Sequence, residues 1–370
     1  MIPLTFFGAV EGSAAAEMDN ARALASLSAY LAEHKYLHVY IPEGKWFTAG
    51  DATITIPSPG GLTISGGGQG VSSLCFNTGG LILTAADQGD GGNTGNGITL
   101  SDLDLLCTAG TGADALTIAG GRAIAGRTTP GAVVRHLNIR SYDPTGGLIH
   151  WFRGIVCTKN INPRFFNVTV DPINGKHCLH LYGAAPTFAP IDVVIAQCNF
   201  YATAGDGRAH VMVEGAVEGV HVTDCTSIGS DLTLKWIAAS DAKYPWLSFT
   251  NNHCAGTNGL DIDRVADGNV RNNEIFVLGL PGQESYGLRL RNSQHAARPD
   301  LDPSDWDISG NLFGGRDEAG LVHHGVLAEQ LTDSYICRNR FRGLRGADVL
   351  LGPDTRQVTV EWKPRRSASA

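Results

Sequence analysis

Short apolar strands recur along most of the chain and are separated by Gly, Asn, Asp and Pro. In one series, an anchor residue precedes an apolar, a variable and a second apolar residue. Its members begin at Ala115, Gly154, Cys178, His210, Asp231, Gly259, Gly287, Gly325 and Asp348. Because strand side chains alternate between two faces, the apolar positions of every member face one core and the variable positions face outward.

A second series alternates with the first and predicts how the strands stack. It contains Cys198 and Cys225, followed by one asparagine in each later repeat: Asn252, Asn273, Asn311 and Asn339. Stacked asparagines at a turn hydrogen-bond along the stack and satisfy their amides inside a solenoid. A fixed strand pattern in repeats of variable length predicts an all-β fold, a single-stranded right-handed parallel β-helix.

The N-terminal segment has a different pattern. Residues 14–33 place leucines and alanines at helical spacing, and strands are predicted at 37–41 and from Trp46. The segment 6–10 (FFGAV), this helix and the segment 39–47 (VYIPEGKWF) together resemble the N-terminal module of the pectate-lyase-like superfamily, which includes phage tailspikes and other polysaccharide-active proteins. The resemblance implies a β-helix whose first coil is capped by the helix. For a tailspike-type protein it also implies a homotrimer.

We expect one structural domain. Residues 1–48 form the N-terminal strand, the capping helix and the first coil, and residues 49–360 form the parallel β-helix. Residues 361–370 are polar and low in complexity, which predicts a flexible tail.

Composition and charge exclude several classes of protein. Hydrophobic residues make up 43% of the 370 residues and charged residues 17%, which excludes a disordered chain. The net charge of -8 gives no general attraction to nucleic acid or to an anionic membrane. No apolar run is long enough to span a membrane.

The cysteines and the first residues bear on localisation. The eight cysteines form no C-x-x-C pair, which favours reduced, buried thiols. The first ten residues have no Lys or Arg before their apolar run, so they do not resemble a secretion signal. We expect synthesis in the cytoplasm, followed by a place in a virion or prophage tail, or outside the cell after release.

The outward positions of the first series are polar and charged in the middle of the chain. The predicted register places one row through Tyr182, Glu214, Lys235, Asp263 and Arg291, with His180, Asp261 and Arg289 in the neighbouring row. Neighbouring parallel strands lie about 4.8 Å apart, so these side chains form a continuous surface. Such a surface on consecutive coils is a candidate for binding and catalysis.

The acidic residues of this surface favour glycosidic bond hydrolysis. That reaction uses one carboxylic acid to protonate the leaving oxygen and a second carboxylate as base or nucleophile. Asp261 and Asp263 are two residues apart on one strand, about 6.6 Å between Cα atoms, and Glu214 lies about two coils from Asp263. The sequence therefore predicts a tailspike-type glycoside hydrolase, a depolymerase in which these three residues are catalytic.

Substrate-binding residues are predicted around the three carboxyl groups. Four charged or titratable residues would position an anionic sugar or tune the carboxylates: His180, Lys235, Arg289 and Arg291. Three aromatic residues would bind sugar faces: Tyr182, Trp236 and Trp151. The expected partner is therefore a polysaccharide.

Two alternatives use the same surface. A polysaccharide lyase or epimerase acting on a uronate-containing glycan would use an arginine or Lys235 as base, with Ca²⁺ held by Asp261 and Asp263 against the sugar carboxylate. A non-catalytic trimeric fibre would bind glycan without cleaving it, and the charged rows would then be ladders of ion pairs. Apart from this Ca²⁺, the sequence predicts no cofactor and no metal site.

Overall fold

The fold is known from a computed structural model, which describes residues 1–86, 96–109, 112–121, 130–142, 150–173, 175–185, 189–202, 207–239 and 242–361. The predicted tail lies outside the described residues, except for Glu361. Within them the strands pair in parallel, each with a strand of the next coil along the chain. This arrangement is the predicted parallel β-helix.

The N-terminal segment caps the first coil. Strand β1 (Ile2–Pro3) pairs with β2 (Tyr36–Ile41), and the helix α1 (Glu17–His34) lies between them in sequence, after a 3-10 turn at Ala14–Ala16. One face of α1 is fully buried, through Leu24, Leu27 and Leu31. The predicted helix over 14–33 and the predicted strand over 37–41 are confirmed.

A first sheet takes two strands from most coils. Its strands among the described residues are β1, β2, β3 (Gly44–Thr48), β5 (Gly60–Gly66), β6 (Ser72–Phe76), β8 (Asn96–Cys107), β10 (Ala132–Ser141), β12 (Arg164–Ile173), β14 (Ile191–Ala196), β15 (Asn199–Ala202), β17 (Glu218–Thr223), β18 (Thr226–Ile228), β21 (Leu247–Thr250), β22 (His253–Gly256), β25 (Asn269–Arg271), β26 (Glu274–Val277), β28 (Asp307–Ser309), β29 (Leu312–Gly315), β31 (Thr332–Cys337), β32 (Arg340–Arg342) and β34 (Arg356–Glu361).

A second sheet takes one strand from each coil and forms the other wall of the helix. Its described strands are β4 (Ala52–Ile56), β7 (Leu81–Ala85), β9 (Asp114–Ala119), β11 (Arg153–Thr158), β13 (His177–Gly183), β16 (Ala209–Gly215), β19 (Leu232–Ala238), β23 (Asn258–Asp263), β27 (Glu284–Arg291), β30 (Val322–Ala328) and β33 (Val349–Leu351). A short pair, β20 (Tyr244–Pro245) and β24 (Val265–Ala266), extends one side.

The predicted side-chain ladder joins successive coils at the turn between the two strand ladders of the first sheet. Its members are Cys198, Cys225, Asn252, Asn273, Asn311 and Asn339. At a typical step, Oδ1 of Asn273 accepts hydrogen bonds from the backbone N (2.8 Å) and Nδ2 (3.0 Å) of Asn252. Each buried amide is therefore bonded along the stack, as the sequence predicts.

The core lies between the sheets. It consists of apolar side chains from every coil, and seven of the eight cysteines are buried, as predicted. No helix among the described residues is long and apolar enough to cross a membrane.

The predicted register of the second sheet is wrong at β19. Val211 pairs with Leu234, so the anchor of this coil is Thr233 and not Asp231. The residues 232–236 (LTLKW) alternate so regularly that a shift by two positions keeps the same faces buried, and the pattern does not distinguish the two registers. Leu232, expected in the core, instead packs against Ala209 and Met212 outside it.

Candidate functional site

The outward side of the second sheet, here called the outer face, has three rows of side chains that run from coil to coil. The first row contains Asp114, Arg153, His177, Ala209, Leu232 and Asn258. The middle row contains Thr117, Val156, His180, Met212, Lys235, Asp261, Arg289 and Leu327. The third row contains Thr158, Tyr182, Glu214, Ile237, Asp263 and Arg291.

This register corrects the predicted position of Lys235. It lies in the middle row between Met212 and Asp261, and Ile237 is the residue that separates Glu214 from Asp263. Lys235 is therefore not placed between the two carboxylates. Among the described residues, its ammonium group has no hydrogen-bond or ion-pair partner, so its charge remains available to a ligand.

The N-terminal half of the outer face contains a chain of hydrogen bonds. Asp114 binds Arg153 through both oxygens, at 2.7 Å to Nε and 2.8 Å to Nη2. Arg153 Nη1 donates to Nδ1 of His180 at 2.9 Å, and Nε2 of His180 lies 3.1 Å from Oε2 of Glu214. We call these four residues the relay. It leads from a half-buried carboxylate to one whose side chain is 45% exposed.

The contacts of His180 fix its protonation. Burial and the neighbouring Arg153 guanidinium both lower the pKa of His180, and the Glu214 carboxylate opposes them more weakly. The imidazole is therefore neutral at neutral pH. Because an arginine only donates, Nδ1 is the acceptor nitrogen, and the proton on Nε2 is donated to Glu214. His180 thus orients the Glu214 carboxylate through this hydrogen bond.

Two further rings lie beside the relay. The ring of Tyr182, in the register position next to Glu214, is 5.9 Å from the ring of His180, and this tyrosine is 39% exposed. His177 lies on the other side, 5.4 Å from His180 between ring centroids. Burial, followed by the neighbouring His180, lowers the pKa of His177 to about 3, so it too is neutral at neutral pH.

The C-terminal half of the outer face differs, because its two aspartates, Asp261 and Asp263, are already bonded by protein groups. Asp263 is 1% exposed and accepts bonds from Arg264 Nε (3.2 Å), Ser293 N (2.9 Å) and Ser293 Oγ (2.6 Å). Arg264 also donates to the carbonyl groups of Ala238 and Ala239. Asp263 therefore joins two loops, one after β23 and one after β27.

Asp261 has a similar environment. It accepts two hydrogen bonds from Arg291, at 2.9 and 3.3 Å, and its side chain is 7% exposed. In the next coil Arg289 donates to Glu329 at 2.7 Å and lies over the ring of Tyr286. Arg289 and Arg291 are thus neutralised by protein carboxylates, and neither Asp261 nor Asp263 has the free oxygens that a Ca²⁺ ion needs.

The predictions for the two tryptophans are wrong. Trp236 is fully buried and pairs with Val213 and Ile262 in the core column, because the register of β19 differs from the predicted one. Trp151 is also fully buried and packs edge-on against Phe76. Neither indole is available to a sugar. Among the predicted aromatic residues only Tyr182 is exposed on the outer face.

The sequence analysis missed Asp114, Arg153 and His177. In each coil the anchor and the next residue both face the core, as Ala115 and Leu116 do, so the residue before the anchor faces outward. The missed signal was a charged or titratable residue immediately before the first three anchors. Within the described residues, no cluster of three or more His, Cys, Asp or Glu has the geometry of a metal site.

Comparison with solved structures gives several similar folds. The mannuronan C-5 epimerase A-module of Azotobacter vinelandii is 12% identical with a TM-score of 0.61, and the match covers 98% of this chain and 100% of that chain. DFA-IIIase of Arthrobacter chlorophenolicus without its lid is 13% identical with a TM-score of 0.65, covering 96% and 93%. The surface protein and adhesin PfbA of Streptococcus pneumoniae is 9% identical with a TM-score of 0.53, covering 95% and 99%.

No family model and no curated protein sequence matches the chain. At identities this low, the similarity to solved structures establishes the fold alone. It agrees with the parallel pairing of the strands and with the helix that caps the first coil. The fold that the N-terminal resemblance implies is thereby confirmed: the chain is a single-stranded right-handed parallel β-helix.

Proposed function

We propose that this chain is an enzyme that acts on an acidic polysaccharide and transfers a proton at a uronate residue, as an epimerase or a lyase does. The observation that carries the proposal is the relay, which ends in one exposed, oriented carboxylate, Glu214, beside the exposed phenol of Tyr182. The polymer would lie along the outer face, across the coils.

The contacts of the aspartates favour proton transfer over the hydrolysis that the sequence suggested. Hydrolysis by the usual mechanism requires two carboxyl groups, one of which exchanges a proton with the leaving oxygen. Asp261 and Asp263 are buried and accept charge-assisted hydrogen bonds from Arg291 and Arg264, so neither is placed to contact a leaving oxygen. Of the three carboxylates that the sequence predicts to be catalytic, Glu214 is left as the accessible one. One base is enough for proton abstraction from carbon, but not for that mechanism of hydrolysis.

Each group of the open surface has a role in this chemistry. Glu214 accepts the proton from the sugar carbon next to the uronate carboxylate, while the Nε2 proton of His180 keeps the accepting oxygens oriented. Tyr182 donates a proton, either to the carbon from the opposite side, which inverts it, or to the leaving oxygen, which cleaves the chain. Arg153 and Asp114 position His180 and contact no substrate.

Lys235 supplies the positive charge that this reaction requires. Removing a proton next to a carboxylate creates a second negative charge, which a nearby cation stabilises. Arg289 and Arg291 are paired with Glu329 and Asp261, whereas the ammonium group of Lys235 has no partner among the described residues. Lys235 therefore binds the uronate carboxylate in place of the Ca²⁺ considered from the sequence.

The similar structures support the substrate class and leave the reaction to be tested. They include a mannuronan C-5 epimerase, the enzyme DFA-IIIase and an adhesin. A glycan-acting β-helix protein is consistent with these names, and an acidic glycan fits Lys235.

The decisive experiment is incubation in D₂O with a panel of polymannuronate, polygalacturonate and bacterial capsular polysaccharides. An epimerase predicts deuterium at the carbon next to the carboxylate by NMR, together with inversion of that carbon. A lyase predicts ultraviolet absorbance of unsaturated sugars, because its product keeps no hydrogen on that carbon. A Glu214→Gln chain is the matched control and should show neither. New reducing ends without absorbance or deuterium would establish hydrolysis, and binding without any product would establish a non-catalytic fibre.

The assembly and the location of the protein remain predictions of the tailspike resemblance. A homotrimer would elute with about three times the mass of the 39.1 kDa chain, which light scattering on an eluting peak measures directly. Presence in purified virions or in culture supernatant would test the expected location.

A further inference from the structure

A second surface of the β-helix, away from the outer face, has the features of a ligand site. It is a groove of about 710 Å³ on the first sheet, and we call it the C-terminal groove. Its floor is formed by β26, β29 and β32, and its lining includes Glu274, Phe276, Leu312, Gly314, Arg316 and Arg342. Its volume lies in the range typical of small-ligand sites, about 300–1,000 Å³.

The floor of the groove is an exposed aromatic ring supported by a glycine. Phe276 pairs with Gly314, and Gly314 pairs with Arg342, so these residues form one row across three coils. A Cβ atom at Gly314 would lie 2.7 Å from Cδ2 of Phe276, so the ring leans directly over this glycine. Phe276 is 38% exposed. The absence of a side chain at Gly314 thus makes room for the ring, which stays partly accessible to a ligand.

Polar groups of both signs surround this ring. Glu274 and Arg342 are exposed, and among the described residues neither side chain has a hydrogen-bond or ion-pair partner. At the rim, Arg316 binds Glu318 at 3.3 Å and Arg345 binds Asp317 at 2.7 Å. An apolar platform with a few convergent polar groups is the usual composition of a small-ligand site, and an unpaired arginine favours a carboxylate ligand.

The strand pairing argues against a peptide as the occupant. A peptide commonly binds a sheet by adding a strand to an open edge. The floor strands β26 and β29 are paired on both sides, β26 with β22 and β29, and β29 with β26 and β32. Among the described strands β32 is paired only with β29, so an added peptide strand would lie beside β32 and away from Phe276. Recognition over Phe276 therefore uses side chains, which suits a ring with hydroxyl and carboxylate substituents.

We propose that the C-terminal groove is a second binding site for the acidic polysaccharide, in which a uronate ring stacks on Phe276 and its carboxylate binds Arg342. The proposal rests on the proposed function for the class of ligand, and on the groove itself for the site. Such a site holds a long polymer on the protein while another segment of it occupies the outer face, and effective concentration raises the overall affinity.

The test is titration calorimetry with hexamers of mannuronate and of galacturonate, on the Glu214→Gln chain, in which we expect turnover to be about 10³-fold slower. We expect two hexamers per chain, and one after Phe276→Ala or Arg342→Gln is added. Tyr335→Ala removes an exposed aromatic ring of the same sheet outside the groove and should leave two. Thermal unfolding of each variant shows whether the substitution has disturbed the fold.

The outcomes separate the two proposals. If Phe276→Ala and Arg342→Gln change neither the stoichiometry nor the affinity, the groove proposal is overturned while the proposed function stands. If both variants lose a hexamer but the unsubstituted chain neither exchanges deuterium into any polymer nor produces unsaturated sugars, the groove proposal stands and the proposed function is overturned. Equal binding of a neutral glucose hexamer in the groove would overturn the role of Arg342.

Discussion

The two halves of the outer face are built from the same residue types but differ in how their charges are used. In the N-terminal half, four residues form the relay, and its last member, Glu214, is 45% exposed at the side chain. In the C-terminal half, Asp263 is 2% and Asp261 7% exposed at the side chain, and each is bonded to an arginine. The first arrangement leaves Glu214 open to a ligand, whereas the second closes Asp261 and Asp263 with protein partners. We call the two regions the open half and the closed half.

The comparison shows that a row of charges has no single meaning. The sequence placed Glu214, Asp261 and Asp263 in one candidate site because all three are acidic and outward-facing. Their partners divide them, since a buried carboxylate with a bonded arginine serves to join segments of the chain, while an exposed carboxylate held by a neutral histidine is available for chemistry. Substitutions in the open half should therefore mainly lower activity, and substitutions in the closed half should mainly lower stability.

The largest expected effect is the loss of activity in Glu214→Gln. Removal of a general base typically lowers the rate by about 10²–10⁴-fold, and we expect about 10³-fold in kcat for deuterium exchange. Glutamine keeps the shape and still accepts a hydrogen bond from His180, so the fold should be retained. The matched substitution in the closed half, Asp261→Asn, should lower kcat by about tenfold or less. Equal losses would show that the two halves form one catalytic site.

The next effect is the loss of stability in Asp263→Ala. This change leaves the guanidinium of Arg264, which is 3% exposed, without its carboxylate and releases Ser293. Breaking one partner of a buried pair typically costs about 3–5 kcal/mol in the free energy of unfolding. Glu214→Ala, in the open half, should cost about 1 kcal/mol or less. Urea unfolding measures the free energy of unfolding of both variants. If Asp263→Ala loses less of it than Glu214→Ala, Asp263 does not have the structural role assigned to the closed half.

A smaller effect is expected from Arg153→Gln, which tests the relay without touching the substrate. The guanidinium of Arg153 lowers the pKa of His180, so its removal raises that pKa. Protonated His180 holds Glu214 as an ion pair and makes it a weaker base. We therefore expect kcat to fall by about 10–100-fold with KM unchanged, and the acid limb of the rate–pH profile to move to higher pH.

Arg153→Lys is the control for this prediction. It keeps a positive charge near His180 but loses the two-point bond to Asp114. Its acid limb should lie between those of the unsubstituted chain and Arg153→Gln. If the acid limb is the same in all three proteins, His180 is not coupled to the reaction and the relay is only structural.

The fold was predictable because its signals repeat. Asn252, Asn273, Asn311 and Asn339 recur with apolar strands between them, and only a stack of coils brings such residues into register. The helix over residues 14–33 was equally clear, since one long helical pattern stands at the start of a strand-rich chain. Both signals are patterns along the chain and need no knowledge of side-chain contacts.

The site was predictable only in part. His180, Tyr182 and Glu214 were found because they are outward positions of correctly aligned strands. The position of Lys235 and the burial of Trp236 were missed because a strand pattern of period two is unchanged by a shift of two residues. The choice of partners, such as Arg291 for Asp261, depends on side-chain rotamers across strands, which the sequence does not encode locally.

The smallest expected effect concerns stability in acid. Buried His177, in the open half, should make the free energy of unfolding fall as the pH decreases. Burial and His180 lower the pKa of His177 to about 3, whereas an unfolded histidine has a pKa of about 6.5. As the pH decreases, the unfolded chain is protonated at this histidine before the folded chain is. The free energy of unfolding is therefore unaffected by His177 above about pH 6.5 and falls as the pH decreases from there towards 3. Between pH 7 and pH 5 the loss is about 1–2 kcal/mol.

His177→Gln removes this titration while its amide oxygen can still accept from the backbone N of Ala209. Urea unfolding at pH 7 and pH 5 should show a smaller decrease for His177→Gln than for the unsubstituted chain. A residual decrease will remain, because burial also lowers the pKa of His210, to about 4, in the core. His253→Gln, an exposed change on the first sheet, should leave the decrease as it is. If the unfolding free energy decreases equally in all three proteins between pH 7 and pH 5, the loss of stability in acid does not arise from His177.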